Sequence, residues 1–116
     1  MTETDTKPAE MGLGPGCVAL VTGGGGGIGL ACACQFAKAG TTVALLDCDD
    51  GLLDDAADKV AGAGAQQVVT YGADVADATA LQKVEADLAD RFGGVDVLLN
   101  NAGIQPGSAM FGPPAN

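Results

Sequence analysis

The chain has 116 residues, of which 19 are glycine, 15 acidic and 5 basic, and with no histidine its net charge is −10. That length holds one small domain. The charge speaks against nucleic acid and anionic membranes, both of which need clustered cations, and the missing histidine rules out Ser-His-Asp or Cys-His chemistry within these residues. With 47% apolar residues the chain can build a packed core rather than a disordered tract.

Met1–Gly16 is polar and acidic, with Pro8 and Pro15, and lacks the basic start and apolar centre of a signal peptide. It reads as a mobile arm. No apolar stretch reaches the ~20 residues of a membrane helix, so a soluble, cytoplasmic protein without membrane partners is expected. Cys17–Thr22 is a short apolar run typical of a strand covered on both faces. The glycine run Gly23–Gly27 follows. Ile28–Ala39 then carries apolar residues at helical spacing, Ile28, Cys32 and Phe36, and Gly40 is a suitable stop.

Thr42–Asp47 is a second buried strand ending on an acid. Asp49 or Asp50 suits the N-cap of the next helix, whose stripe is Leu53, Ala56, Ala57 and Val60. Gln67–Tyr71 forms a third strand. Asp77 caps a third helix with Leu81, Val84, Leu88 and Phe92 on one face, ended by Gly93 and Gly94. Val95–Asn100 is the fourth strand, and Ala102–Asn116 is Gly/Pro-rich loop. Cys17, Cys32, Cys34 and Cys48 show neither Cys-x-x-Cys spacing nor histidine, so no metal site is expected and most should be buried as small apolar residues.

The alternation β-α-β-α-β-α-β predicts an α/β fold: the N-terminal half of a Rossmann-like, doubly wound parallel sheet, strand order 3-2-1-4. The organisation expected is an arm over 1–16, a nucleotide-binding Rossmann half over 17–104 and a Gly/Pro-rich tail over 105–116. Two helices should cover one face of the sheet and a single helix the other, leaving the fourth strand with an open apolar edge. The fold is therefore expected to be incomplete, part of a protein roughly twice as long.

A glycine-rich turn between a first strand and its helix lets a pyrophosphate approach the backbone and meet the helix N-terminus. Gly23–Gly29 has that context, although the run satisfies G-x-G-x-x-G and T-G-x-x-x-G-x-G together. A Walker-type loop is excluded because no Gly-Lys-Ser/Thr follows. Asp47 lies 18 residues beyond Gly29 and can accept hydrogen bonds from the adenosine ribose hydroxyls while repelling a 2′-phosphate. No Lys or Arg stands in the loop or just after Asp47, so NAD is expected in preference to NADP.

Thr22-Gly23-x-x-x-Gly27-x-Gly29, Asp74-Val75 and Asn100-Asn101-Ala102-Gly103, in that order, resemble the short-chain dehydrogenase/reductase family of the classical type. The resemblance covers about residues 16–105 and implies an NAD-dependent oxidoreductase acting on a small carbonyl or alcohol substrate. It implies that Thr22, Gly23, Gly25, Gly26, Gly27, Ile28 and Gly29 hold the pyrophosphate, and Asp47 the adenosine ribose. Asp74 and Val75 would meet the adenine, while Asn100, Ala102 and Gly103 would line the cofactor pocket. A full-length member is expected to be a homo-oligomer.

The family's chemistry also needs a Ser, and a Tyr with a Lys four positions on. The only Tyr is Tyr71, with Val75 at that position, and the only Ser is Ser108 in the Gly/Pro-rich tail. Catalytic roles are not assigned to Tyr71, Ser108, Lys83 or Asn116, so the chain alone is expected to be inactive. Two other readings differ in class: a non-catalytic dinucleotide-binding or interaction module ending at Asn116, and an isomerase or lyase of the extended type.

Overall fold

The computed structural model of the protein describes residues 13–101. Ala102, Gly103 and the 105–116 tail, with Ser108 and Asn116, lie outside the described residues. The elements are β1 (Val18–Thr22), α1 (Gly27–Lys38), β2 (Thr42–Asp47), α2 (Asp50–Ala63), β3 (Val68–Gly72), α3 (Ala78–Phe92) and β4 (Val97–Asn100). All strand pairs are parallel and the sheet order is β3-β2-β1-β4, as the alternating pattern requires.

Each helix has its own start and stop. The side chain of Asp49 accepts from the Leu52 amide and that of Asp77 from the Ala80 amide, capping α2 and α3. Gly64 and Gly93 end them in the left-handed conformation. No side chain caps α1, which begins at Gly27 with φ of +58°, so its first turn has no side-chain acceptor for its N–H groups.

Two cores sandwich the sheet. Ala19, Val21, Val43 and Leu45 point to α1 and α2, meeting Ala33, Phe36, Ala37, Leu53, Ala56 and Val60. Leu20, Ala44, Leu46 and Val69 point the other way, to Val84 and Leu88 of α3. The alternation follows from the two-residue period of a strand buried on both faces. On the α3 side the cover stops short of β4, where Leu98 is 60% exposed. There Leu20, Glu85, Val95, Asp96 and Leu98 line an open groove of about 390 Å³.

The structure corrects the sequence reading in four places. Ile28 does not face the core but is 69% exposed, and α1 buries Gly29, Ala33, Phe36 and Ala37. Small residues on that face let the helix lie close to the sheet, and a first-turn side chain leans back toward the glycine loop. The cysteines are less buried than expected: Cys17, Cys32 and Cys34 are half-buried and Cys48 is exposed.

Ladder pairing of β4 begins at Val97 rather than Val95. Just before it, Asp96 donates its amide to the Val18 carbonyl and accepts the Val18 amide with Oδ2, both at 2.8 Å. A side chain there takes the place of a ladder carbonyl. Finally, the last four residues of the arm are fixed. Leu13 is buried in the α1–α2 core, the Gly14 amide donates to Thr41 Oγ1, and the Gly16 amide donates to Gln66 Oε1.

Candidate dinucleotide site

The strand registers bring Thr22 opposite both Leu46 and Asn100, and Asp47 opposite Gly72. The carboxyl ends of all four strands therefore form one edge. On it stand Thr22, the Gly23–Gly27 turn, Asp47, the Ala73–Val75 segment and Asn100–Asn101. The chain reverses its direction of travel across the sheet at β1, which lies between β2 and β4, and open α/β sheets bind ligands at such a switch point.

The consecutive glycines of the loop are not equivalent. The amide of Gly24 donates to the Leu46 carbonyl, and a Cβ there would meet Leu45 Cδ2 at 2.8 Å. The amide of Gly25 donates to Asp47 Oδ2 at 3.0 Å. A Cβ at Gly26 or Gly27 would meet nothing within 4 Å, so these two form the open side of the turn. Gly29 lies under the loop, where a Cβ would come within 2.4 Å of the Gly23 carbonyl oxygen. Gly24 and Gly29 thus serve close packing, while Gly26 and Gly27 leave backbone accessible beside the uncapped end of α1.

The carboxylate of Asp47 is half-buried and held at both oxygens. Oδ2 takes the Gly25 amide, and Oδ1 takes the Asp49 amide at 3.1 Å. Two fixed N–H donors leave the remaining lone pairs of the two oxygens for further donors. The exposed side chain of Leu52, in the first turn of α2, stands beside the same turn.

Thr22 Oγ1 donates to Asn100 Oδ1 at 3.0 Å, joining the ends of β1 and β4. The neighbouring Asn101 donates its side-chain amide to the Gly23 carbonyl at 3.3 Å. The sequence motif Asn100-Asn101-Ala102-Gly103 assigned Asn101 no role of its own. The structure makes it the strut between that segment and the glycine loop.

Past β3, the Ala73 amide donates to the Asp47 carbonyl at 3.0 Å. Asp74 is exposed and turns its carboxylate onto the Ala76 amide, while Val75 packs against the α3-side core.

Tyr71 is on β3 and its hydroxyl donates to Asp87 of α3, which also pairs with Arg91 at 3.3 Å. Burial and this bond push the phenol up to about 12. A phenol held neutral and committed to a carboxylate is poorly suited to proton transfer near neutral pH. Among the described residues no cluster of three His, Cys, Asp or Glu could hold a metal ion, and no helix is long and apolar enough to cross a membrane.

The comparisons with known proteins agree with this architecture. The family model for short chain dehydrogenases matches residues 17–112. The chain belongs to the short chain dehydrogenase family. A short chain dehydrogenase/reductase of Macrophomina phaseolina is 42% identical over 89 residues, which are 77% of this chain and 51% of that protein.

An NAD+-bound xylitol dehydrogenase superposes with a TM-score of 0.73 and 41% identity, covering 78% of this chain and 35% of its own. The L-sorbose reductase of Gluconobacter frateurii, complexed with NADPH and L-sorbose, gives 0.74 and 36%, covering 83% and 36%. The chain spans about half or less of the length of these relatives.

Proposed function

We propose that this chain is the NAD-binding part of an oxidoreductase acting on a small carbonyl or alcohol. The observation that carries the reading is the Asp47 carboxylate, fixed by two backbone amides at the switch point and set against the glycine loop. Support for a dinucleotide comes from the open backbone at Gly26 and Gly27 beside an uncapped helix, a cradle that a side chain would begin to fill.

Hydride exchange with a carbonyl or alcohol carbon is the chemistry that such a cofactor supplies when bound. The residues of this chain bind and orient. Thr22 and Gly23–Gly29, with Ile28 exposed in the first turn, receive the pyrophosphate. Asp47 accepts the adenosine ribose hydroxyls and repels a 2′-phosphate. Asp74 and Val75 are assigned to the adenine, and Asn100, Ala102 and Gly103 to the lining of the cofactor pocket.

No residue of the chain is given a catalytic role, because its only tyrosine is engaged with Asp87 and is not followed by the required lysine. The same reading carries a cytoplasmic setting, no nucleic-acid or membrane partner, and a homo-oligomer at full length.

Titration of the chain with NADH and with NADPH, read by cofactor fluorescence, tests this. NADH should bind the more tightly, and Asp47→Arg should abolish that preference. Equal affinity for both cofactors in the parent chain would overturn the ribose assignment.

A further inference from the structure

We propose that Leu13–Gly16 is a strap that opens and closes as a unit over the amino end of the sheet, uncovering the α1–α2 core while the sheet stays intact. The inner end of the strap is a plug. Leu13 is 6% exposed and belongs to the same buried cluster as Phe36, Ala37, Val43 and Val60. The outer end is a hinge. Pro15 and Gly16 are exposed, and Gly16 has φ of +92°, a backbone conformation that glycine adopts freely and other residues only under strain. A Cβ at Gly16 would meet nothing within 4 Å, so the hinge has room to turn.

The strap is held differently from the strand it leads into. Ladders to β2 and to β4 fix β1 along both edges. Among the described residues, the strap's hydrogen bonds to other segments run to two side chains. The Gly14 amide donates to Thr41 Oγ1 at 3.0 Å, and the Gly16 amide to Gln66 Oε1 at 2.9 Å. The Gln66 amide in turn donates to the Thr41 carbonyl at 3.3 Å. The segments that lead into β1, β2 and β3 are thus tied together, with the strap as the outermost member. Pro15 completes the closure against Gly40, where a Cβ would come within 3.2 Å of Pro15 Cγ.

Opening gives up the burial of one leucine, the bonds to Thr41 and Gln66, and the turn bond from the Cys17 amide to the Gly14 carbonyl. That is a small part of what two cores and a four-stranded sheet hold, so the opened strap is visited more often than the unfolded chain. Leu13 and the bonds to Thr41 and Gln66 share one four-residue segment with one exposed joint, and therefore release together. The strap then sets how often the space between α1 and α2 meets solvent, and with it access for proteases.

Native-state hydrogen exchange of the full chain, followed residue by residue at rising urea below the unfolding midpoint, tests this. The Gly14 amide should exchange at least about a hundredfold faster than the ladder amides of β1 and β2. Its urea slope should be under about a quarter of theirs, because little surface is exposed. Gln66→Ala removes the acceptor of the Gly16 amide and alters an exposed side chain. It should nevertheless speed exchange at Gly14 by about threefold, since bonds that open as a unit are weakened as a unit.

A Gly14 amide with the rate and slope of the ladder amides overturns the proposal, because the strap then opens only when the whole chain unfolds. A Gly14 amide unmoved by Gln66→Ala overturns it as well, because the two bonds then open one at a time. An unprotected Gly14 amide does the same, since the strap is then not seated.

Discussion

Asn101 donates its side-chain amide to the carbonyl of Gly23 at 3.3 Å, across 78 positions of sequence. The bond fastens the residue that follows β4 to the first residue of the glycine loop. The loop is thereby held at two points: its carbonyl end by an amide, and its amide end by a carboxylate.

Removing the Asn101 strut should loosen the loop more than it unfolds the protein. Asn101→Ala deletes one part-buried neutral hydrogen bond and should weaken NADH binding by about fivefold, with little change in melting temperature. Asn101→Asp sets an acceptor against the Gly23 carbonyl and should weaken it further. Fluorescence titration of the two variants checks the order.

Two glycine-to-alanine changes in helices should have opposite signs. At Gly62 in α2 a Cβ meets nothing within 4 Å, so alanine should stabilise by about 0.5–1 kcal/mol through helix propensity and a less flexible unfolded chain. At Gly29 in α1 the same propensity gain is outweighed. The Cβ would come within 2.4 Å of a backbone carbonyl and 2.8 Å of Asn101 Nδ2, a clash costing about 1–3 kcal/mol. Urea unfolding of the two variants reads both signs.

The link from β3 to α3 should show in the pH dependence of stability. Burial and the bond to Asp87 raise Tyr71 from its ordinary value near 10 to about 12, so the neutral phenol is favoured in the folded state. Its contribution is complete below pH ~10 and disappears as pH climbs through about 12. The Tyr71 bond holds the carboxyl of Asp87 below the usual carboxylate range, with Arg91 adding to it, so that contribution is present above the range and fades as pH falls. Tyr71→Phe should cost roughly 0.5–1 kcal/mol near neutral pH, a low figure because solvent reaches the pair, and should flatten the alkaline limb. Denaturant midpoints measured across pH in both proteins decide this.

The acidic caps should matter in proportion to the donor each satisfies. Asp77→Ala and Asp49→Ala each leave a first-turn amide without its side-chain acceptor and should each cost about 1 kcal/mol. Asp49→Ala keeps the backbone amide that donates to Asp47 but loosens the first turn that positions it, and should therefore also weaken NADH binding. Asp77 has no link to Asp47, its amide donating instead to the Asp74 carbonyl at 2.9 Å, so its variant should change stability and leave the fixing of Asp47 intact.

The features legible in the sequence are those written by local chemistry. Asp49 and Asp77 announce their helices, Thr42–Asp47 is bounded by its own apolar run, and alternating elements leave few topologies beyond order 3-2-1-4. Residues whose partner is distant in sequence were illegible. Nothing in the spacing of Asp96 marks it as the acceptor for Val18, and nothing local assigns Asn101 to Gly23.

The buried face of α1 was misread for a different reason. Apart from Phe36 its inward residues are Gly29, Ala33 and Ala37, which carry too little apolar weight to set a helical phase, so Ile28 drew the stripe toward solvent. In the glycine run, composition cannot say which positions need their missing side chain for packing and which leave space for a ligand. Only the neighbours at Leu45, Asp47 and Gly23 separate them.

Among the described residues no cation stands near the turn: Lys38, Lys59, Lys83 and Arg91 all lie on helices, with Lys38 at the far end of α1. On the proposed reading a dianionic pyrophosphate would approach a chain of net charge −10 and, among the described residues, meet short-range backbone donors and no cation. Added salt screens the long-range repulsion and competes little with contacts made at hydrogen-bond distance. Dinucleotide affinity should therefore rise with ionic strength, the reverse of a site that grips phosphate with lysine or arginine.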